Sequence, residues 1–426
     1  MKTINPSTAL RVNSERSRTI KFLTLGCKAN QYDTQNIREQ FLALGYKEIG
    51  RGKIADACLI NTCTVTHRAD CDSLNLIRRA RRENPKAKII VTGCLTELDS
   101  ARIKEIEGID LIVKNKDKIK IFKLLNGITN FAGHTRAFLK IQDGCDNFCS
   151  YCKVPLVRGR SKSRPLKEIV AEARALSENG FKEIVLTGIC LGAYGRDLKK
   201  KISLLDVINA LEKIPNLVRI RLSSIEAGDI SNELIEKIIS SSKLCRHLHI
   251  PLQSGDDEIL KQMNRKYASR DFIRLIKKIK SRIPGIAITT DVLVGFPGEN
   301  EENFKNTIKV IRAIVPLKTH IFPYSRREGT SAVKISAEQD PKTIKERIAR
   351  LNKISDDCAL KFKKGFLNTC MDVLIESASK KEADLWEGYT DNYIKVLFKS
   401  RLKLKNQFIA LKLKKINSDS VLAVLN

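Results

Sequence analysis

The amino-acid sequence predicts an α/β protein in three parts: an N-terminal parallel sheet with helices on its faces, a central partial barrel of six βα units, and a small C-terminal β barrel. Three observations carry that expectation. Short apolar runs alternate with amphipathic, helix-like stretches from Lys21 to about Asn115, and again from Phe138 to about Pro323, as in parallel strands joined by helices. From Met371 the pattern changes to short strands at close spacing, the mark of a small barrel. The 426 residues are also about three times the usual domain of about 100 to 150.

In the first part FLTL, CLIN, KIIVTG and IDLIVKN read as strands, with QNIREQFLALG and SLNLIRRARRENP as the helices between them. The periodicity weakens between about Asn115 and Thr135, which places a boundary there. Six strand candidates follow: AFLKIQ, EIVLTG, VRIRLSS, RHLHIPL, AITTDVLVG and THIFPY, separated by helical stretches such as LKEIVAEARALSENG and RDFIRLIKKIKSRI. Consecutive βα units of this kind form most of a barrel whose chemistry sits at the carboxyl ends of its strands. A long polar helix, KTIKERIARLNKISDDCALKFKK, leads to MDVLIES, NYIKVLF, RLKLK and FIALKLKKI. The expected division is a flexible tail over 1–18, a sheet domain over 19–128, a barrel over 134–362 and a β domain over 363–426.

Composition narrows the class. A hydrophobic content of 42% with 30% charged residues excludes a chain that is mostly disordered. No apolar run approaches the ~18 residues of a membrane span, and MKTINPSTALRVNSERSR has no apolar segment to act as a signal peptide. The expectation is a cytoplasmic protein without a membrane partner. The net charge of +30 points to nucleic acid, although a lysine-rich proteome would raise the charge without any such partner. Between Tyr393 and Lys415 lie eight Lys or Arg, no acid and three aromatics, a combination suited to RNA backbone contact and base stacking, or to a lysine-protected sheet edge.

Twelve cysteines are many for a reducing compartment, so their spacing matters. In IQDGCDNFCSYCKVP, Cys145, Cys149 and Cys152 form Cx3Cx2C directly after the first barrel strand. Structural zinc sites usually take four ligands from two separated pairs, whereas a 4Fe-4S cubane can take three thiolates and leave one iron open. At the mouth of a βα barrel this loop resembles the radical S-adenosylmethionine (SAM) superfamily, in which the open iron chelates SAM. Cys27, Cys63 and Cys94 each lie just past a strand, and parallel strands end at one edge, so their loops can bring three thiolates together. Gly26 and Gly93 before two of them permit tight turns. On these residues alone, coincidental packing of buried cysteines explains the second set equally well. Cys58, Cys71, Cys245, Cys358 and Cys370 fit packing, and Cys190, near the barrel mouth, is assigned no role.

TLGCKANQYDT, INTCTVTHRAD, VTGCL, the Cx3Cx2C loop with VPLVRGRSKSR, HLHIPLQSGDDEIL, TTDVLVGFPGE, HIFPYSRREGT and GYTDNYIKV together resemble the radical SAM methylthiotransferases from about residue 20 to the C terminus. The resemblance implies an auxiliary-cluster domain, a radical SAM barrel and a TRAM-like RNA-binding β barrel. It implies a second 4Fe-4S cluster on Cys27, Cys63 and Cys94 beside the one on Cys145, Cys149 and Cys152. GCKANQYDT is similar to the MtaB branch, which acts on N6-threonylcarbamoyladenosine at position 37 beside the tRNA anticodon. The isopentenyladenosine branch, MiaB, typically shows GCQMN, and the ribosomal-protein aspartate branch, RimO, shows GCPKN. Ala29 and Asn300 depart from residues common in the MtaB branch.

By the same resemblance an aromatic C2 hydrogen is replaced by a methylthio group, with two SAM molecules per turnover, a one-electron donor and a sulfur source. One SAM is cleaved reductively at the Cys145, Cys149 and Cys152 cluster, and the other methylates the sulfur that is transferred. Tyr151 then packs near the SAM adenine, Gly188 offers backbone to its amino acid end, and Ser224, Glu226, His249 and Gln253 are further cofactor-binding candidates. Each has an ordinary structural alternative, a satisfied barrel-interior hydrogen bond or a turn. Arg158, Arg160 and Arg164, after the cluster loop, are candidates to grip tRNA phosphates or the threonyl carboxylate from the rim. Competing expectations are the isopentenyladenosine reaction, the aspartate reaction, and a non-catalytic RNA-binding protein with structural clusters.

Overall fold

The computed structural model describes residues 18–50, 52–122, 127–379, 382 and 384–425, so the expected tail lies, except for Arg18, outside the described residues. Strands β1 (Thr19–Thr24), β2 (Lys47–Glu48), β3 (Ala57–Thr62), β4 (Lys88–Gly93) and β5 (Leu111–Ile112) form a parallel sheet in the order β2-β1-β3-β4-β5. The two-residue side-chain period of β3 and β4 sends Cys58, Ile60, Ile89 and Val91 to one core and Leu59 and Ile90 to the other, so helices cover both faces. The Lys28–Ala43 helix follows β1, and the His67–Glu83 helix follows β3. Thr66 caps the latter by accepting from the Ala69 N–H at 3.1 Å.

The central part carries β6 (Ala137–Lys140), β9 (Glu183–Thr187), β10 (Arg219–Leu222), β11 (His247–His249), β12 (Ala287–Val294) and β13 (Lys318–Pro323). Two three-stranded parallel sheets, β6-β9-β10 and β11-β12-β13, meet through single bridges between Ile220 and Leu244 and between Ser224 and His249. Six strands thus curve in sequence order into a partial barrel. The Asn232–Ser240 helix, which the sequence reading passed over, fills the gap between β10 and β11 and is capped by Ser231. A small antiparallel pair, β7 (Gln142–Asp143) with β8 (Lys162–Ser163), closes the base of the Cx3Cx2C loop.

The C-terminal strands β14 (Cys370–Ala378), β15 (Leu385–Thr390), β16 (Lys395–Lys399), β17 (Phe408–Ile416) and β18 (Val421–Leu425) close a barrel in the order β14-β15-β16-β18-β17. Two strand expectations are corrected here. RLKLK is a connection, because only Leu404 of its two leucines is buried, whereas Leu402 is 70% exposed. LWEGYT and VLAVL are strands instead; Val421 and Ala423 enter the core and complete closure.

The terminal barrel docks on the central one through buried charge. Glu183 at the start of β9 bonds Arg221 at 2.7 Å and lies within 3.9 Å of Arg136 and Arg219. Two of those arginines also reach the terminal barrel. Arg219 donates to the carbonyls of Tyr389 and Asp372, and Arg221 to those of Thr390 and Asp391. Glu183→Gln would leave Arg219 and Arg221 without their carboxylate, while Arg136 keeps Glu376, a loss of about 3 kcal/mol or more. The expected outcome is a lowered denaturation midpoint together with faster proteolysis in the connection before β14; an unchanged digestion pattern would count against this docking role.

Candidate functional site

β1, β3 and β4 end together, with Thr24 paired to Asn61 and Thr62 paired to Gly93. Cys27, Cys63 and Cys94 therefore leave the sheet at a single edge. Gly93 (φ +108°) lies so close to β3 that a Cβ would meet the Thr62 carbonyl at 2.3 Å, and at Gly26 (φ +100°) a Cβ would meet Cys63 Sγ at 2.8 Å. Asn30 holds two of these loops by donating to the carbonyls of Leu25 and Thr62, both at 2.9 Å, and the Cys94 thiol points at its Oδ1 from 3.8 Å. Ser73 accepts from the Cys63 N–H and donates back to its carbonyl. Burial pushes the Cys63 thiol up to about 11 and raises Cys94 as well, with each thiol feeling the charge of its neighbours. Cys27 is the exposed member of the trio.

A buried ion network lies beneath this edge. Asp33 of the Lys28–Ala43 helix meets Lys118 at 3.2 Å, Lys140, and Arg158 at 3.6 Å. Arg158 bonds both oxygens of Asp143 at 2.9 Å and Asn30 Oδ1 at 2.6 Å. Burial disfavours both carboxylates as anions, yet the cations win: Lys140, Lys118 and Arg158 hold Asp33 well below its ordinary value, and Arg158 and Lys140 hold Asp143 down to about 2.

The second trio occupies the loop that begins two residues after Asp143. The Cys145 N–H donates to the Gly159 carbonyl at 3.1 Å, and the Cys152 N–H to the Cys149 carbonyl at 3.0 Å. Each sulfur has a donor: the Asn147 N–H to Cys145 at 3.5 Å, Arg265 to Cys149 at 3.5 Å, and the Val154 N–H to Cys152 at 3.4 Å. Donors aimed at all three sulfurs suit thiolates that share a cationic centre, since such bonds stabilise and tune a cluster. Phe148 takes φ +47° at the loop tip, where Asn264 donates to its carbonyl at 3.0 Å. Cys190 packs against Cys145, and its thiol hydrogen bond lowers Cys145 to about 7.

A cavity of about 710 Å³ opens at Cys27 of the first trio and runs along the barrel strands to Tyr393 of the terminal barrel; Lys28, Val154, Gly188, Ser224 and His249 are among its lining residues, and Cys145, Cys149 and Cys152 are not. Its apolar walls include Phe138, Val185 and Leu222. Three of the expected cofactor residues, Gly188, Ser224 and His249, thus share one space with Cys27. Thr289 Oγ1 holds His249 Nδ1 at 2.9 Å, and Asp291 holds Nε2 at 3.1 Å. The other three candidates sit elsewhere. Tyr151 is partly buried against an apolar cluster containing Met263, Phe296 and Ala332, and desolvation there raises its pKa. Glu226 is committed to Arg265. Gln253, at φ +67°, uses its backbone to bridge Asp291 and Leu293.

The arginine expectations need correction. Arg158 is not on the rim, because its side chain is 2% exposed and committed to Asp143 and Asp33. Arg164 is turned inward to Glu172 at 2.6 Å and the Tyr32 hydroxyl at 3.0 Å. Arg160 alone is exposed, paired with Asp146 at 2.8 Å and lying over Phe148. The sequence reading missed Lys28, Arg136, Arg221 and His320, all of which line the cavity, and it put Tyr393 on an RNA-binding surface, whereas that ring lines the cavity too. Arg136 and Arg221 sit at barrel strands, where inward-facing charge was a usable signal. Arg78, Arg81, Arg82 and Arg102 line a separate depression of about 490 Å³ that shares no residue with the cavity.

The radical SAM superfamily model matches residues 139–311, and the model of uncharacterized protein family UPF0004 matches 19–114. The fold is shared with the radical SAM methyltransferase TsrM of Kitasatospora setae, at a TM-score of 0.54 and 15% identity over 74% of this chain and 77% of that one. A partial βα barrel with a Cx3Cx2C loop and this family match define a radical SAM enzyme, a class that binds a 4Fe-4S cluster and SAM. Sequence relatives narrow the class. The chain is 40% identical to the threonylcarbamoyladenosine tRNA methylthiotransferase MtaB of Bacillus subtilis (strain 168), over 93% of this chain and 94% of that protein. It is 33% identical to the MtaB of Thermotoga maritima, over 95% and 96%. It is 32% identical to the tRNA-2-methylthio-N(6)-dimethylallyladenosine synthase of Alkaliphilus oremlandii, over 89% and 86%. The chain belongs to the radical SAM methylthiotransferase family.

The ion network sets a pH dependence. Asp33 and Asp143 titrate lower in the fold than the roughly 4 of an unfolded aspartate, so their contribution is fully present above about pH 4 and is lost as pH falls toward 2. Denaturant midpoints measured from about pH 6 to about pH 3 should fall more steeply for the wild type than for Asp143→Asn, whose amide does not titrate. Equal slopes would remove Asp143 from the acid limb.

Proposed function

We propose that this chain methylthiolates C2 of N6-threonylcarbamoyladenosine at position 37 of tRNA, using two 4Fe-4S clusters and two SAM molecules per turnover. The observation that carries the reading is the shared cavity, which brings Cys27 to the same space as Gly188, Ser224 and His249. Its volume suits a nucleoside beside a cofactor. The names of the relatives matched along nearly the whole chain, and GCK after β1, favour the threonylcarbamoyl substrate.

The residues present suit both clusters. Cys145, Cys149 and Cys152 form one ligand set with a donor at every sulfur; Cys27, Cys63 and Cys94 form the other at a sheet edge that glycine keeps open. When bound, the first cluster with SAM supplies radical chemistry at a carbon that has no leaving group, and the second supplies sulfur. Arg265 donates to Cys149 and is held by Glu226, which gives Glu226 a positioning role at the cluster loop. The apolar walls exclude water around the base, and Thr289 and Asp291 fix the orientation of the His249 ring. The basic β16–β17 region would hold the tRNA backbone, with Lys399, Arg401, Lys403, Lys412 and Lys414 outside the cavity. An external one-electron donor and a sulfur source complete the turnover.

The test is anaerobic turnover of an anticodon stem-loop carrying the threonylcarbamoyl nucleoside, read by nucleoside mass spectrometry. The methylthio product supports the assignment; product only from the isopentenyl analogue overturns it. Cys149→Ala is expected to abolish SAM cleavage. Cys63→Ala should keep reductive SAM cleavage and lose methylthio product, with iron per chain reduced by about half; the reverse pattern would exchange the two roles.

A further inference from the structure

Lys28 is the first residue of the Lys28–Ala43 helix, directly after Cys27, and both line the cavity. The other cations of that lining are met by a carboxylate. Arg136 pairs with Glu376 and Arg221 with Glu183 at 2.7 Å, while Asp291 is hydrogen-bonded to the His249 ring at 3.1 Å. Lys28 is exposed at the edge of the cavity and makes no hydrogen bond or ion pair with the described residues. Its position in the helix is itself unfavourable. A cation at the positive end of a helix is disfavoured, and no acid stands in the first turn of this one. Three cations but a single carboxylate, Asp291, line a space with apolar walls, where an anion is poorly screened and strongly held. A local choice that works against its own element without an internal compensation points to a ligand.

We infer that Lys28 binds a carboxylate carried on the N6 substituent of the substrate base, and so selects an amino-acid-bearing adenosine over one with a hydrocarbon substituent. The inference rests on the reading that the substrate is a base modified at C2. In adenine, C2 and C6 flank the same ring nitrogen, N1, and N6 is carried on C6. A base that presents C2 toward the Cys27 end of the cavity therefore carries its N6 substituent past the neighbouring residue, which is Lys28. A carboxylate placed there restores charge balance, and Arg136 and Arg221 on the adjoining wall add to the field that draws it in. A second source of the same chemistry is the methionine carboxylate of SAM, and the experiment separates the two.

The iron-loaded protein is titrated with three anticodon stem-loops: one bearing threonylcarbamoyladenosine, the same RNA with its threonyl carboxylate methyl-esterified, and one bearing isopentenyladenosine. The wild type is expected to bind the acid about tenfold or more tighter than the ester, the scale of one charged hydrogen bond. Lys28→Gln should bind acid and ester alike, and Lys28→Arg should keep the preference, with iron content and SAM affinity unchanged in both. Equal binding of acid and ester by the wild type overturns the inference without any variant. A preference that survives in Lys28→Gln, or a loss confined to SAM affinity, overturns it too. Turnover in the same samples keeps the two proposals apart. Methylthio product without an acid preference defeats carboxylate recognition alone, and an acid preference without product defeats the assigned reaction alone.

Discussion

The charged network under the cysteine edge is the constraint on which the rest of the site depends. Lys118, Lys140 and Arg158 surround Asp33 and Asp143 where water is largely excluded, and ions so placed persist only when each is met by several partners. Its geometry couples the two cysteine sets. Arg158 grips Asn30, which pins the loops of Cys27 and Cys63, and the same guanidinium grips Asp143, two residues ahead of Cys145. Neither set can shift without disturbing the other. Three cations against two carboxylates also leave positive charge beside Cys94, where Arg158 and Lys118 offset part of the burial that raises its thiol.

A comparable arrangement fastens the terminal barrel. Glu183 gathers Arg136, Arg219 and Arg221; Arg136 binds the Glu376 carboxylate, and the other two bind carbonyls of β14, β15 and the turn after β15. Tyr393 from that turn stacks on His247 with ring centroids 4.6 Å apart and on Tyr389 at 5.1 Å. The ring thereby becomes part of the cavity wall, so the β barrel contributes to the site as well as presenting its basic outer surface.

Much of this was legible in the residues. Period-two alternation exposed the strands of the sheet and of the barrel, and the placement of Cys27, Cys63 and Cys94 after three of them followed from parallel geometry alone. Failures came where local pattern and tertiary use diverge. RLKLK alternates like a strand, yet only one of its leucines finds a core. Arg158 and Arg164 look like a basic rim in sequence, but their counter-ions Asp33, Asp143 and Glu172 come from other elements and draw both inward. Lys28 carries no signal of its own in the sequence, because no local pattern reports that a cavity forms in front of it.

The wall of one cavity is assembled from Cys27 and Lys28 of the first part, Arg221 and His249 of the second, and Tyr393 of the third. Such a site does not divide along the boundaries that a gene-level view of the chain would draw. Exchange of one segment between distant relatives would separate side chains that have been matched to each other across seams. Divergence in substrate choice must therefore proceed by concerted changes in all three segments and not by shuffling them.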